Sequence, residues 1–211
     1  MQAIRRLFDT NRPLGADWSL LVEEKMGHEQ GNTLGLLLLF FQHALEQRLP
    51  ARASSRKGTA RLRPVNQRRA WLADNSTWKE GITRIYPARS YKGDRTRLSW
   101  LLDADVAVIY RGLASYANPL VLTRAGHGSV YSQAEPVVLE CADFGGLPWE
   151  SVSVFEGARA IGWVAPGKEK LVIRGPLKPG AHAAVLVGRL PDGGLRTSIP
   201  VAWYVRPERA K

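Results

Sequence analysis

Hydrophobic and polar positions follow two different periods, a helical one in residues 1–50 and a strand-like one after residue 106. In the first region, Asp17 is a candidate N-cap for a short helix over residues 18–22 that Gly27 closes, and Thr33 caps a second helix. The second helix has large apolar residues along one face, and we expect that face to pack in the core. The face comprises Leu34, Leu37, Leu38, Phe41, Leu45 and Leu49.

The later pattern consists of short runs rich in β-branched and aromatic residues, separated by turn residues. A spacing of roughly 8–12 residues is typical of an antiparallel sandwich, barrel or helix-backed sheet. The run Pro191-Asp-Gly-Gly194 predicts an antiparallel hairpin. The predicted fold is therefore α+β, with N-terminal helices packed against or followed by a mainly antiparallel β sheet. Predicted strands cover residues 106–110, 120–123, 136–141, 151–155, 160–164, 171–174, 182–188 and 197–205.

The middle of the chain separates these two patterns. Residues 51–70 are small, polar and basic without a clear period, so we expect an extended or mobile loop. Aromatic residues then favour a short helix over 71–78 and a strand over 82–86. The expected organisation is a helical region at 1–50, a basic segment at 51–100 and a β-rich domain at 101–211.

Positive charge is concentrated in that basic segment. The chain has a net charge of +11, and between residues 52 and 97 thirteen Lys or Arg residues face only Asp74, Glu80 and Asp94. Ten of the thirteen are arginines, whose guanidinium group binds phosphate bidentately, stacks on bases and keeps its charge. A field this localised indicates a partner of opposite sign.

Nucleic acid, either RNA or DNA, is the partner that this pattern favours, with the phosphate backbone as the main contact. Tyr86 and Tyr91 lie beside basic residues and are candidate stacking platforms for bases. A solvated basic face with core aromatics is the simpler alternative. The candidate contact residues are Arg56, Lys57, Arg61, Arg63, Arg68, Arg69, Arg84, Tyr86, Arg89, Tyr91, Lys92, Arg95 and Arg97.

A second, more scattered basic set lies in the β-rich region and could extend a nucleic-acid groove. Ordinary surface charge is the simpler explanation for it. The set comprises Lys168, Lys170, Arg174, Lys178, Arg189, Arg196 and Arg206.

Candidate catalytic chemistry is sparse. Asp103 and Asp105 would share one face of a strand and could hold a divalent ion, although an acidic rim or a helix start explains them better. His127 lies in a glycine-rich run where a general base could act, but a turn histidine is the simpler interpretation. The histidines lack ligand spacing, Cys141 is the single cysteine, and no phosphate loop is present. We therefore predict no catalytic residue, no metal and no cofactor.

The function predicted from these patterns is non-catalytic nucleic-acid binding within a larger bacterial or mobile-element nucleoprotein assembly that contains other protein subunits. One alternative is a metal-dependent or His-dependent nuclease, and another is a structural protein that docks on an acidic protein partner. The longest apolar run, residues 36–41, is far short of the roughly 20 residues that span a bilayer. The N-terminus lacks the apolar stretch of a signal peptide, so no membrane association and a cytoplasmic location are expected.

Overall fold

The structure is a computed structural model of the 211-residue chain. It describes residues 2–23, 31–50, 61–115, 118–124, 130–143, 146–164, 169–174 and 176–208. The helices are α1 (Gln2–Asn11), α2 (Thr33–Arg48) and α3 (Ala104–Ala114). The strands are β1 (Trp71–Asp74), β2 (Arg84–Pro87), β3 (Ser99–Leu101), β4 (Leu120–Arg124), β5 (Val130–Tyr131), β6 (Val137–Asp143), β7 (Ser151–Glu156), β8 (Arg159–Val164), β9 (Glu169–Ile173), β10 (Gly180–Arg189), β11 (Leu195–Thr197) and β12 (Val201–Val205).

Strand β10 connects two hydrophobic cores. Successive side chains on a strand point to opposite sides, so Val185 faces the first core while Ala184 and Leu186 face the second. The first core also contains α2, α3 and the small sheet β2-β1-β3. The second core lies between the sheet β5-β12-β10-β7-β8 and the sheet β4-β6-β9. The division of the chain into three regions stays a prediction. Strand β10 contributes side chains to both cores.

The two C-terminal sheets are mostly antiparallel, and the α+β fold class is confirmed. Strands β10 and β11 pair through the turn at 191–194, as the hairpin signal predicts. The sheets do not close into a barrel over the described residues. Within the same part of the chain, no helix has the length and apolar composition needed to span a bilayer.

The short helix expected over residues 18–22 is wrong. These residues are extended and run beside β3, where the N–H of Trp100 donates to the oxygen of Trp18 at 2.9 Å. The N–H of Leu20 donates to Ser99 Oγ at 2.9 Å, and Asn75 Nδ2 donates to the Leu20 oxygen at 2.7 Å. Fixed polar groups of the small sheet therefore satisfy this backbone, and a helix would forfeit those bonds.

The strand expected over residues 106–110 is also wrong, because these residues form the first half of α3. The helix begins at Asp103, whose Oδ1 accepts a hydrogen bond from the N–H of Val106 at 3.1 Å. Its residues 106–110 are all buried, so the run has no polar face that would reveal a helical period. The helix expected over 71–78 fails in its first half, since β1 occupies Trp71–Asp74 and a 3₁₀ turn follows at Asn75–Glu80.

Helix α2 packs with a different face from the expected one. Leu36 and Leu39 are buried, and Phe40 and Ala44 pack against the same core. The apolar face from Leu34 to Leu45 is exposed instead. Pattern alone did not separate the two faces, because residues 36–41 are apolar at every position.

Candidate nucleic-acid interface

The predicted cations within the described residues are all exposed. Arg56 and Lys57 lie outside that part of the chain. We use the name basic surface for residues 61–69 and 84–97, which include the other predicted contacts. The exposed cations are Arg61, Arg63, Arg68, Arg69, Arg84, Arg89, Lys92, Arg95 and Arg97.

The two segments of the basic surface meet at one backbone contact. The N–H of Ala88 donates to the oxygen of Ala70 at 2.9 Å. Arg69 precedes one end of that bond and Arg89 follows the other, so the fold brings the two basic loops together. The β1–β2 pairing that begins opposite Trp71 holds them in this register.

Four of the cations are uncommitted within the described part of the chain. The side chains of Arg61, Arg68, Arg89 and Lys92 form no ion pair or hydrogen bond with another described residue. Arg97 also lacks such a bond, but its charge acts on the carboxyl of Asp94 and helps to lower the pKa of that group. A phosphate that met them would displace water and counterions and break no intramolecular contact. These four side chains are therefore the best-placed of the predicted phosphate contacts.

Other predicted contacts have structural partners. Arg63 caps the end of α2, with its Nη2 donating to the oxygen of Glu46 at 2.9 Å and to that of Leu49. A cation at this position satisfies terminal carbonyls and complements the helix dipole. Arg95 Nη2 donates to the oxygen of Tyr91 at 3.0 Å. Arg84 pairs with Glu80 at 3.0 Å on the open surface, where such pairs contribute little.

The two candidate stacking tyrosines contact each other. The ring centroids of Tyr86 and Tyr91 are 5.0 Å apart with an interplanar angle of 44°. Tyr91 also packs against the first core, and a Cβ atom at Gly93 would lie 2.6 Å from its hydroxyl oxygen and 2.8 Å from its ring. They form one half-buried pair, so at most their outward faces are open to a base.

Arg12 holds the loop at the end of the basic surface, a role that the sequence pattern did not indicate. Its buried guanidinium donates to the oxygen of Leu98 at 2.8 Å, to that of Arg95 at 3.0 Å and to that of Ala16. One side chain thus connects the turn after α1 to residues 95–98. Long-range satisfaction of carbonyls of this kind leaves no local sequence signal.

A cleft of about 590 Å³ opens between α2, the loop at 63–69 and the start of α3. His43 Nδ1 lies 2.8 Å from Asp103 Oδ2, and the Asp103 side chain is only 4% exposed. Arg69 Nη2 is 3.8 Å from the same carboxylate oxygen. Arg63 also lines the cleft. The cleft therefore brings two predicted cations, Arg63 and Arg69, close to His43, which the spacing rules for histidine ligands did not single out.

The His43–Asp103 pair favours its charged form. The hydrogen bond that His43 donates to Asp103 raises the pKa of His43 although burial opposes it, and the nearby carboxylates of Asp105 and Glu46 add to the rise. Burial acts to raise the pKa of Asp103, but hydrogen bonds from His43 and Val106 together with the charges of His43 and Arg69 hold it below its ordinary value. His43 therefore adds positive charge to the cleft as pH falls.

His43, Asp103 and Asp105 are also the described residues whose ligand atoms could converge on a metal ion, all within 4.8 Å of one another. Each carboxylate already has a structural bond, because Asp103 caps α3 and Asp105 Oδ1 accepts from the N–H of Ala158 at 2.8 Å. The interpretation of Asp103 and Asp105 as a helix start is confirmed, and their placement on a strand is wrong. Arg69 beside Asp103 makes the cleft less favourable for a cation. His127 lies outside the described residues.

Comparison with known proteins gives no family. No family model matches the chain, and no curated protein matches it. Among solved structures, the fibronectin(III)-like modules of Clostridium thermocellum CbhA match with a TM-score of 0.33 and 19% identity, over 41% of this chain and 96% of that one. The Bacteroides ovatus mixed-linkage glucan utilization locus protein SGBP-B, in complex with a mixed-linkage heptasaccharide, matches with a TM-score of 0.21 and 12% identity, over 70% of this chain and 42% of that one. Similarities this low carry no argument about function.

Proposed function

We propose that the protein binds nucleic acid through the basic surface, with the phosphate backbone as its main contact and without catalysis. The observation that carries the proposal is the set of four exposed, uncommitted cations on two adjoining loops, in a chain of net charge +11. Arg63 and Arg69 also line the adjacent cleft, where the carboxylates of Glu46, Asp103 and Asp105 offset their charge. Such a surface releases counterions on binding, which gives affinity that falls steeply with salt.

The structure improves the choice of residues for a test. Neutralising Arg63 would remove the cap of α2, and neutralising Arg69 would remove a charge beside Asp103. A loss of binding in either variant could therefore result from a change in folding. The quadruple variant Arg61→Gln, Arg68→Gln, Arg89→Gln, Lys92→Gln removes four charges without breaking a described contact. A matched control removes four exposed cations of the β-rich region by changing Arg174, Lys178, Arg189 and Arg206 to Gln.

Binding of labelled single-stranded RNA, single-stranded DNA and duplex DNA is measured by fluorescence anisotropy over a series of salt concentrations. Each lost phosphate contact reduces the magnitude of the slope of log K against log salt by about 0.7 on single strands and 0.9 on duplex, so the slope of the first variant should fall by up to about 2.8 on single strands and about 3.6 on duplex. The control variant retains more of both slope and affinity. Equal slopes for the two variants would show that binding is a property of net charge and not of the basic surface.

A nuclease is the second candidate, and the convergence of His43, Asp103 and Asp105 in the cleft beside the basic surface is the observation that favours it. A buried carboxylate that orients an imidazole is an arrangement used by general bases. Incubation with labelled RNA and DNA, with and without magnesium or manganese, tests this directly. Cleavage that His43→Gln abolishes would replace the binding proposal by a nuclease, and no cleavage in any condition removes the candidate.

The proposed setting is a cytoplasmic assembly with other protein subunits. A structural protein that docks on an acidic protein partner would use the same cations. Nuclease treatment of freshly purified protein distinguishes nucleic-acid binding from docking on an acidic protein. Nucleic acid that co-purifies and is released by nuclease supports the proposal, while an acidic protein that stays bound after nuclease supports the alternative.

A further inference from the structure

The side-chain amide of Gln47, near the end of α2, is buried without a hydrogen-bond partner. Its Nε2 and Oε1 are both shielded from solvent, and neither bonds to another residue in the part of the chain that the structure describes. Among the buried side chains of those residues, only Gln47 leaves both a donor and an acceptor unpaired. Buried amides normally have partners, because an unpaired group has given up its bonds to water and gained none. The amide is therefore a place where a ligand can supply the missing bonds.

Gln47 lines the cleft between α2, the loop at 63–69 and α3. It follows His43 by one helical turn, so the two side chains share a face of α2. The last torsion of a glutamine side chain has broad preferences, so the amide can turn toward the cleft, and it breaks no hydrogen bond by doing so. The cleft has a volume of about 590 Å³, within the range of small-molecule sites.

The charges around the cleft nearly cancel, unlike those of the basic surface. Arg63 and Arg69 contribute two positive charges, and His43 adds a third when it is protonated. Three carboxylates oppose them, namely those of Glu46, Asp103 and Asp105. A phosphate gains less in such surroundings than beside cations that have no nearby carboxylate. The cleft therefore suits a neutral group with several polar atoms.

A nucleobase is a neutral polar group that a bound strand would bring to this place. The loop at 63–69 forms one wall of the cleft and also belongs to the basic surface, so phosphates bound beside Arg61 and Arg68 lie next to the cleft. Bases of single strands can be splayed out, stacked on histidine or arginine planes and hydrogen-bonded along their edges. His43 and Arg69 provide such planes at the cleft.

The chemistry of the amide selects among the bases. Nε2 donates and Oε1 accepts, side by side in one plane. Adenine presents the complementary pair, an acceptor at N7 beside the amino donor at N6, and glutamine binds these two atoms bidentately. A base that is stacked and paired within a duplex cannot enter the cleft, so we expect the strand to be single.

We propose that the cleft binds one unstacked adenine of a single-stranded nucleic acid, with the Gln47 amide hydrogen-bonded to the base and His43 and Arg69 stacked against it. This inference rests on the proposed function and specifies its ligand. Neither the amide nor the base is charged, so the contact adds affinity and leaves the salt slope unchanged. The phosphate contacts of the basic surface determine that slope.

The test compares two single-stranded oligonucleotides of equal length, one with adenine at every position and one with unsubstituted purine, which lacks the N6 amino group. Both stack and carry the same phosphates, so only the hydrogen bonds to the base edge differ. Fluorescence anisotropy should show the wild type binding the adenine strand about tenfold more tightly, the order expected for a bidentate contact. Gln47→Leu should bind both strands equally, with an unchanged salt slope.

Arg61→Gln is the matched control, because it removes a phosphate contact and leaves the cleft intact. It should reduce the magnitude of the salt slope by about 0.7 and retain the preference for adenine. Equal binding of the two strands by the wild type, or a preference that survives Gln47→Leu, refutes the adenine site and leaves nucleic-acid binding standing. No binding of either strand refutes the proposed function and this inference with it.

Urea unfolding provides an independent check on Gln47. Because the amide has no partner to lose, Gln47→Leu should unfold at a urea midpoint equal to or above that of the wild type. A clearly lower midpoint would show that the amide is bonded within the fold, and the argument for a ligand at this position would fail.

Discussion

Replacing Asp103 tests whether the cleft is held together as its geometry indicates. The carboxylate does two things at once, because Oδ1 caps α3 and Oδ2 bonds His43 on α2. Asp103→Ala removes both contacts. Asp103→Ser retains a capping oxygen and removes the charged pair, so the two variants separate the contributions.

The expected costs follow from these contacts. Loss of an N-cap costs about 1 kcal/mol, and loss of a hydrogen bond to a charged group costs roughly 1.5–3 kcal/mol. Asp103→Ala should therefore lower the free energy of unfolding by roughly 3–4 kcal/mol, and Asp103→Ser by roughly 2 kcal/mol. Both variants also leave His43 beside Arg69 without its counter-charge, so this cost does not distinguish them.

The effect of pH has a definite sign. The pKa of His43 is raised in the folded state, so its stabilisation is complete below the ordinary histidine pKa and is lost as pH rises through the raised value. The pKa of Asp103 is lowered, so its stabilisation is present above the ordinary aspartate pKa and is lost as pH falls through the lowered value. The pair should therefore contribute most between about pH 4 and 6.5, the ordinary values of the two groups.

Urea unfolding followed by tryptophan fluorescence measures these differences across that pH range. A double-mutant cycle with Asp103→Ser and His43→Gln isolates the pair, with an expected coupling of about 1–2 kcal/mol near pH 5.5 and less at pH 8. Two results would refute the reasoning. One is an equal cost for Asp103→Ser and Asp103→Ala, which would mean that the cap contributes nothing, and the other is a coupling near zero at every pH.

Two further substitutions test contacts that hold the basic surface in place. Arg63→Gln should lower the free energy of unfolding by about 1 kcal/mol through loss of the α2 cap, while Arg61→Gln, two residues earlier, should leave it unchanged; equal urea midpoints for the two would contradict the capping role. Arg12→Leu should cost roughly 2–4 kcal/mol, since three carbonyls lose a buried charged donor, and amide exchange in residues 95–98 should accelerate; unchanged protection there would show that the loop does not depend on Arg12.

The strands of the C-terminal half could be predicted because their signals are local. Turn residues mark their ends, as at Pro191-Asp-Gly-Gly194, and β6, β7, β8 and β10 each fall within two residues of the expected bounds. Helix α3 could not be recognised by the same reasoning. It packs against both the small sheet and β10, and a helix that is buried on most sides has the same apolar run as a buried strand. The signal that could have found it is Asp103, three residues before Val106, as an N-cap.

The orientation of α2 shows a second limit. Its buried and half-buried positions 36, 39, 40, 43, 44 and 47 form a helical stripe as regular as the exposed one, but this stripe includes His43 and Gln47. Hydrophobicity alone therefore favours the wrong face. The deciding factors are tertiary, namely the close approach of Gly35 to Ala202 and the bond from His43 to Asp103 sixty residues away. Gly35, among the large apolar residues of this helix, is the cue that the sequence offered.

The basic surface, too, could be predicted from the sequence only in part. Local charge predicted that the cations would be exposed, and the structure agrees for all nine that it describes. What composition cannot distinguish is a cation that caps a helix, such as Arg63, from one that is uncommitted, such as Arg61. That difference depends on which carbonyls lie nearby in the fold.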